Sequence, residues 1–304
     1  MDTSETLIDK PLILDPEGAF RRNYNRVNFM FPHELAGSPM WELRNLIALS
    51  RRMPDHRDTY WSNGKIAVEN NWEYKQNEKL SLDETIVNIE RNNSMVMLKH
   101  TEQDPVYGPQ LKRVLARIVE LAGEQMRADV TVGEVLILIS SPNRITPYHM
   151  DGEANFLLQM AGDKKFYVFD HTDRTLVTDL ELENFYAVSM VLATYRAGRQ
   201  ADATAYDLRA GYGVHVPVNA PHWVQNNDNV SVALSFTYEL RSVDRLQELH
   251  RINRRLRSLG LNPAPPGRSP WRDELKLATY RAARSLKKPP QVVRPYPVWT
   301  PPAA

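Results

Sequence analysis

The run TPYHMDGEANFLLQMAGDKKFYVFD, residues 146–170, decides the fold. It holds two short apolar segments, NFLLQM at 155–160 and KFYVF at 165–169, with Gly162 at the turn between them. Segments of that length, rich in aromatic and aliphatic residues and broken by a glycine, read as a β-hairpin. Working outward, VLILIS (135–140), YGVHVP (212–217) and VSVALSFTY (230–238) have the same texture. Many short strands separated by Gly, Asn and Pro favour a sandwich or small barrel. No glycine-rich phosphate loop opens a helix, and helices do not alternate regularly with the strands, so a sandwich or barrel is favoured over a βαβ sheet.

The flanks are helical. Ser38 and Pro39 precede MWELRNLIAL, a cap and a first-turn proline ahead of a helix that Pro54 is expected to stop. Ser81 and Glu84 have capping-box spacing before Ile86 and Ile89. MVMLK at 95–99 reads as a strand, and a helix after Pro109 carries Leu111, Val114, Leu115, Ile118 and Ala122 on one face, with Gly123 as its stop. Beyond Arg241, Leu246, Leu249, Ile252, Leu256 and Leu259 step by three or four up to Gly260. After the NPAPPGRSP linker, Trp271, Leu275, Ala278 and Ala282 mark the expected stripe of a second helix. The proline-rich end, from Lys287, is expected either to be disordered or to drape over the body as a strap. The domain reading is thus an N-terminal mixed α/β extension over 1–105, a β core over 106–240 and a basic helical region over 241–304.

Composition narrows the chemistry. A hydrophobic share of 42% and a charged share of 25% suit a globular chain. No cysteine is present, so disulfides, iron–sulfur clusters, thiolate-bound zinc and cysteine nucleophiles are excluded. Any metal must be held by His, Asp or Glu. The first twenty residues lack a basic start and an apolar stretch, and the strongest apolar run, 135–139, is strand-sized. No leader and no membrane span are expected, and the missing cysteine fits a reducing cytoplasm. The net charge of +1 hides thirteen basic residues against four acidic ones over 241–288, a local +9. That excess is read first as a solvated helix face and second as a patch for an acidic protein, RNA or another subunit. Without a nucleic-acid motif, nucleic-acid binding is the weakest of these.

The candidate chemistry lies in two runs, residues 146–170 and GYGVHVPVNAPHW at 211–223. His149 and Asp151 are two apart, a spacing that puts both side chains on one face of an extended chain. His222 is a third donor from a distant segment. Two neutral imidazoles and one carboxylate leave a face of an octahedral ion open, a pattern that suits non-haem Fe(II). Alone, an H-x-D pair is common in polar turns; the residues around it make the difference.

Over 143–238 the chain resembles the JmjC and cupin-like oxygenases, most nearly their asparaginyl-hydroxylase branch. The resemblance implies a double-stranded β-helix core, a jelly-roll, with flanking N- and C-terminal helices. It also implies an enzyme that uses Fe(II) and 2-oxoglutarate to hydroxylate or demethylate a substrate, releasing succinate and CO2. His149, Asp151 and His222 match the metal ligands. Lys164, fifteen residues after His149, matches the lysine that pairs with the far carboxylate of 2-oxoglutarate, and Thr146 the hydroxyl that shares it. Asn155 matches an asparagine near metal and cosubstrate. Gln159, Gly162 and the FYVF strand match fold positions. Ser235 stands where the nearest branch has an asparagine, with a hydrogen bond to the cosubstrate or Asn155 as its expected role. No N-terminal residue matches the family's additional cosubstrate-binding tyrosine.

Physical reasoning supports the lysine. An ammonium inside a barrel is costly unless paired, and a dicarboxylate supplies the anion. Lys164 and Lys165 point oppositely along a strand, so only one can face inward, and the spacing favours Lys164. Among the other histidines, His215 is the nearest rival ligand. His33 and His100 read as turn or core-edge residues, and His171 as part of an Asp170–Asp173 polar turn. Tyr148 and Trp223 either wall the pocket or pack in the core. Rival readings are a cupin metalloenzyme without 2-oxoglutarate and a non-catalytic binding module. The substrate is expected to be a peptide side chain, a modified nucleotide or a small molecule, admitted past the N-terminal part and the 171–209 loop. The 246–259 stripe is expected either to pair two copies as a homodimer or to pack on its own barrel.

Overall fold

The computed structural model describes residues 12–53, 59–62, 64–70, 80–188, 193–285 and 298–301. Among the described residues, eleven strands run β1 (Phe29–Pro32), β2 (Thr59–Ser62), β3 (Met95–Leu98), β4 (Val130–Ser140), β5 (Ile145–His149), β6 (Ala154–Ala161), β7 (Asp163–Val168), β8 (Thr204–Arg209), β9 (Tyr212–Val216), β10 (His222–Asn226) and β11 (Ser231–Leu240). They form two antiparallel sheets, β1-β9-β6-β11-β4-β3-β2 and β5-β10-β7-β8. The larger sheet faces the smaller across a shared interior, the jelly-roll expected from the resemblance. Three strands contributed by the first 105 residues extend the large sheet at its two edges.

The helices are α1 (Ala19–Asn23), α2 (Leu43–Ser50), α3 (Leu82–Val87), α4 (Gly108–Ala122), α5 (Glu124–Asp129), α6 (Asp179–Ala187), α7 (Arg241–Ser258) and α8 (Pro270–Ser285). The predicted apolar face of α4 is buried along its whole length, from Leu111 to Ala122, and Gly123 ends it at φ 83°. Ser81 and Glu84 make the expected capping box on α3. The helix expected to run through MWELRNLIAL is instead split. A 3-10 turn at Pro39–Trp41 ends at Glu42, which is extended and starts α2. Trp41 accounts for the break, since its buried ring donates from Nε1 to the Leu35 carbonyl at 2.7 Å. The helix stops at Ser50, and Pro54 lies outside the described residues.

Two C-terminal findings revise the sequence reading. Among the described residues of α8 the buried ones are Asp273 and Leu277, whereas Trp271 and Leu275 are 65% and 57% exposed. The predicted stripe is therefore the outer face: α8 meets α7 through Leu277 against Leu249 and Ile252. Near the end of the chain, the described residues 298–301 lie against β4. Trp299 is buried and pairs with Gly133 of β4, whose N–H donates to the Trp299 carbonyl at 3.0 Å. A Cβ on Gly133 would stand 2.6 Å from the indole, so only glycine admits the ring there. The rest of the proline-rich run lies outside the described residues, apart from residues 298–301.

Candidate metal centre and pocket

His149 closes β5 and His222 opens β10, and the two are cross-strand partners with ring centroids 4.1 Å apart. Asp151 lies two residues beyond the end of β5. His222 Nε2 is 3.7 Å from Asp151 Oδ2, and His149 Nε2 is 4.0 Å from Asp151 Oδ1. One donor atom from each of the three lies within 4.8 Å of the others, the one such trio of His and acid side chains among the described residues. Each imidazole donates from Nδ1 to the carbonyl two residues before it. His149 reaches Pro147 at 2.7 Å and His222 reaches Ala220 at 3.0 Å. That fixes the tautomer and turns both Nε2 atoms toward Asp151, the arrangement a metal ligand needs. Burial first, and then the charge of His222, push His149 down to about 4, which keeps it neutral and able to coordinate.

The trio opens into a cavity of about 440 Å³ between the sheets. Lys164 faces it from β7 with 4% of its surface exposed, and the Lys164 amine has no hydrogen bond or ion pair among the described residues. Burial alone pushes it down to about 7. Lys165 points outward to Asp207 at 2.5 Å, as strand parity predicts.

Thr146 also lines the cavity, with its hydroxyl 3.7 Å from the Met95 sulfur. Three residues from His149, it should face the other way in a regular strand. The register supplies the reason: His222 pairs with His149 and Val224 with Thr146, so β5 carries one extra residue. This bulge on an edge strand, at Pro147, returns Thr146 to the pocket.

Asn155 and Ser235 meet beneath the metal ligands. Ser235 Oγ donates to Asn155 Oδ1 at 3.0 Å, and Asn155 Nδ2 donates to Asp151 Oδ2 at 3.3 Å. Ser235 thus makes the expected hydrogen bond to Asn155. Gly162 turns the hairpin at φ 72°, and a Cβ there would collide with Asn229 and the Val230 carbonyl.

Other residues are where the plainer readings put them. His215 is fully buried, donates to the Asn155 carbonyl at 3.0 Å and accepts from the Asn25 N–H at 2.9 Å. With both ring nitrogens engaged, it is a core residue. Asp170 Oδ1 accepts from the Thr172 N–H and hydroxyl, the polar turn expected around His171. Tyr148 packs on Phe169 and Tyr195, and Trp223 stacks on Tyr167 at 4.3 Å, so both belong to core packing. The sequence reading missed the charged rim formed by Glu134, Glu153 and Lys99. Glu134, Leu136, Leu138 and Ser140 all line the pocket, and that i, i+2 pattern was the available signal. Burial, and then the charge of Asp151, push Glu153 up to about 7. Glu134 is also raised by burial, against the lowering effect of His100, 3.5 Å away.

No described helix is long and apolar enough to cross a membrane. No family model matches the sequence, and no curated protein matches it. Solved structures do. The Escherichia coli ribosomal oxygenase YcfD matches at 13% identity with a TM-score of 0.52, covering 92% of this chain and 69% of that one. A second structure of that protein gives 13% and 0.51, over 92% and 70%. A third, in complex with cobalt and 2-oxoglutarate, gives 14% and 0.49, over 91% and 68%. At such identity the likeness is one of architecture. The chain has a double-stranded β-helix fold of the kind seen in that structure.

Proposed function

We propose that this chain is an Fe(II)- and 2-oxoglutarate-dependent oxygenase that hydroxylates or demethylates its substrate. One observation carries the reading: a His–Asp–His trio shares a cavity with a buried lysine amine that has no partner among the described residues. The donor set fits the ion. Two neutral imidazoles and one carboxylate suit Fe(II) and leave coordination positions for a bidentate cosubstrate and dioxygen. The likeness in fold to a protein named as an oxygenase supports the same chemistry.

When bound, iron and 2-oxoglutarate supply oxidative decarboxylation to succinate and CO2, with the second atom of dioxygen delivered to a substrate C–H bond. The protein's own groups position and shield. His149, Asp151 and His222 hold the metal. Lys164 takes the far carboxylate of the cosubstrate with the Thr146 hydroxyl beside it, and that anion removes the cost of a buried ammonium. Ser235 and Asn155 keep the Asp151 carboxylate oriented. Leu136, Leu138, Leu157, Phe166 and Val224 line the remainder with apolar surface, which excludes water from the reacting centre. The substrate enters past Glu134, Glu153 and Lys99.

The test is an anaerobic titration with Fe(II) and then 2-oxoglutarate, read as the visible metal-to-ligand charge-transfer band. The expected band vanishes in His149→Ala and weakens in Lys164→Ala. Fe(II) binding without a band overturns the use of 2-oxoglutarate. No Fe(II) binding overturns the metal centre.

A further inference from the structure

The metal ligands come from two segments, one ending at Asp151 and one beginning at His222. Asn219 lies between them. Its N–H donates to the Asp151 carbonyl at 2.9 Å, and the carbonyl of the next residue, Ala220, accepts from His222 Nδ1 at 3.0 Å. Asn219 has φ 60°, the left-handed conformation that asparagine tolerates better than most residues. This one turn therefore sets both the backbone of Asp151 and the ring orientation of His222.

The Asn219 side chain is held in turn. Its Oδ1 accepts from the Tyr186 hydroxyl at 2.6 Å, and both residues are 6% exposed. Tyr186 stands in the last turn of α6, and α7 grips that turn. Arg251 Nε donates to the Tyr186 carbonyl at 2.9 Å. Arg254 Nε donates to Asn184 Oδ1 at 2.8 Å, and Arg257 pairs at 2.8 Å with Glu183, which is fully buried. The three arginines are three residues apart, so they lie along one face of α7. Cations at the carboxyl end of a helix also complement its dipole. His250 adds its ring, stacked on Tyr186 at 5.6 Å. Three members of the basic segment are thus committed within the molecule, at a point two hydrogen bonds from a metal ligand.

We infer that Tyr186 and Asn219 are positioning residues for the metal ligands and that the basic helix α7 holds them in register. The inference rests on the metal-centre reading above. It assigns to the C-terminal helical region a part in building the metal site. Tyr186 acts through Asn219 and touches no ligand side chain itself.

The experiment uses the full chain and Co(II), a spectroscopically visible stand-in for the iron. Tyr186→Phe removes one hydroxyl and keeps the ring packing. Its Co(II) affinity, measured by chelator competition, is expected to fall about tenfold, the low end of what supporting hydrogen bonds contribute at metal sites. The visible d–d spectrum should shift with it. Arg251→Met should move affinity in the same direction by less. Tyr107→Phe is the control, because it also deletes a buried tyrosine hydrogen bond, to the Met40 carbonyl at 2.8 Å, in a different part of the fold. It should leave affinity and spectrum unchanged at a comparable loss of thermal stability. Wild-type affinity and spectrum in Tyr186→Phe, or an equal loss in Tyr107→Phe, overturns the positioning role while the metal centre stands. A wild-type protein that binds no Co(II) overturns the metal centre first and this inference with it.

Discussion

Replacing Lys164 by methionine should make the metal-free protein more stable while weakening its response to 2-oxoglutarate. The magnitude follows from the burial of the amine. Its pKa falls from the ordinary 10.5 to about 7 because the ammonium is desolvated. At roughly 1.4 kcal/mol per tenfold, holding that charge costs about 5 kcal/mol at pH 7 and below. The sign is fixed by proton binding. Between pH 7 and 10.5 the unfolded chain keeps the proton and the folded chain releases it, so the cost declines as pH rises and is gone above 10.5. Methionine preserves most of the stem without the charge, and near pH 7.5 the gain is about 4 kcal/mol. For a chain of this size that is on the order of 5–10 °C in melting temperature. With Co(II) present and 2-oxoglutarate at about a hundred times its dissociation constant, the wild type should gain about 2.7 kcal/mol and the variant much less. Calorimetry in buffers of different ionisation enthalpy should also show wild-type binding at pH 8 taking up nearly one proton, as the carboxylate restores the ammonium. A variant that melts at or below the wild type without ligand, or that 2-oxoglutarate stabilises as much as the wild type, would refute the assignment of Lys164 as a buried charge awaiting an anion.

Other expectations follow from the same geometry. Lys165→Ala should leave both melting and cosubstrate binding unchanged, since its pair with Asp207 is exposed; a loss of 2-oxoglutarate binding would mean that the two lysines had been assigned to the wrong faces. Ser235→Ala strips Asn155 Oδ1 of its hydroxyl donor and should cost about 1 kcal/mol in denaturant unfolding, with a several-fold weaker hold on Co(II). His215→Phe leaves the Asn25 N–H and the Asn155 carbonyl unpaired and should cost about 2–4 kcal/mol, yet still bind one Co(II) per chain. Trp299→Ala empties the site over Gly133 and Tyr238 and should destabilise by about 3 kcal/mol, read in a chemical denaturation midpoint.

The parts of this architecture written in local periodicity are legible in the sequence. Alternation required Lys164 and Lys165 to face opposite ways, the spacing from His149 in the family resemblance chose Lys164 as the inward one, and the apolar face of α4 and the capping box of α3 followed from spacings of three and four. The second C-terminal helix shows where such spacing stops being informative. Trp271, Leu275, Ala278 and Ala282 form as good a stripe as Asp273 and Leu277, and better by hydropathy. Yet α8 buries the latter pair, because Asp273 accepts the Gly267 N–H at 2.7 Å and Leu277 meets α7. Which face of a short helix is inward depends on the helix it meets, and that partner is set by chain path.

The support of the metal ligands was hidden for a related reason. Tyr186 and Asn219 are 33 residues apart, and neither belongs to a repeating pattern that points at the other. The arginines of α7 were visible only as net charge, which is indifferent to whether the cations meet water, a partner or the end of α6. Thr146 is the instructive intermediate. Strand parity alone points it away from the pocket, because it is an odd number of residues from His149. The extra residue of β5 turns it back inward. Pro147 marks the place, since a proline within a strand is tolerated mainly at an edge or a bulge. Strand parity counted from His149 therefore does not carry across this bulge and must be counted afresh beyond it.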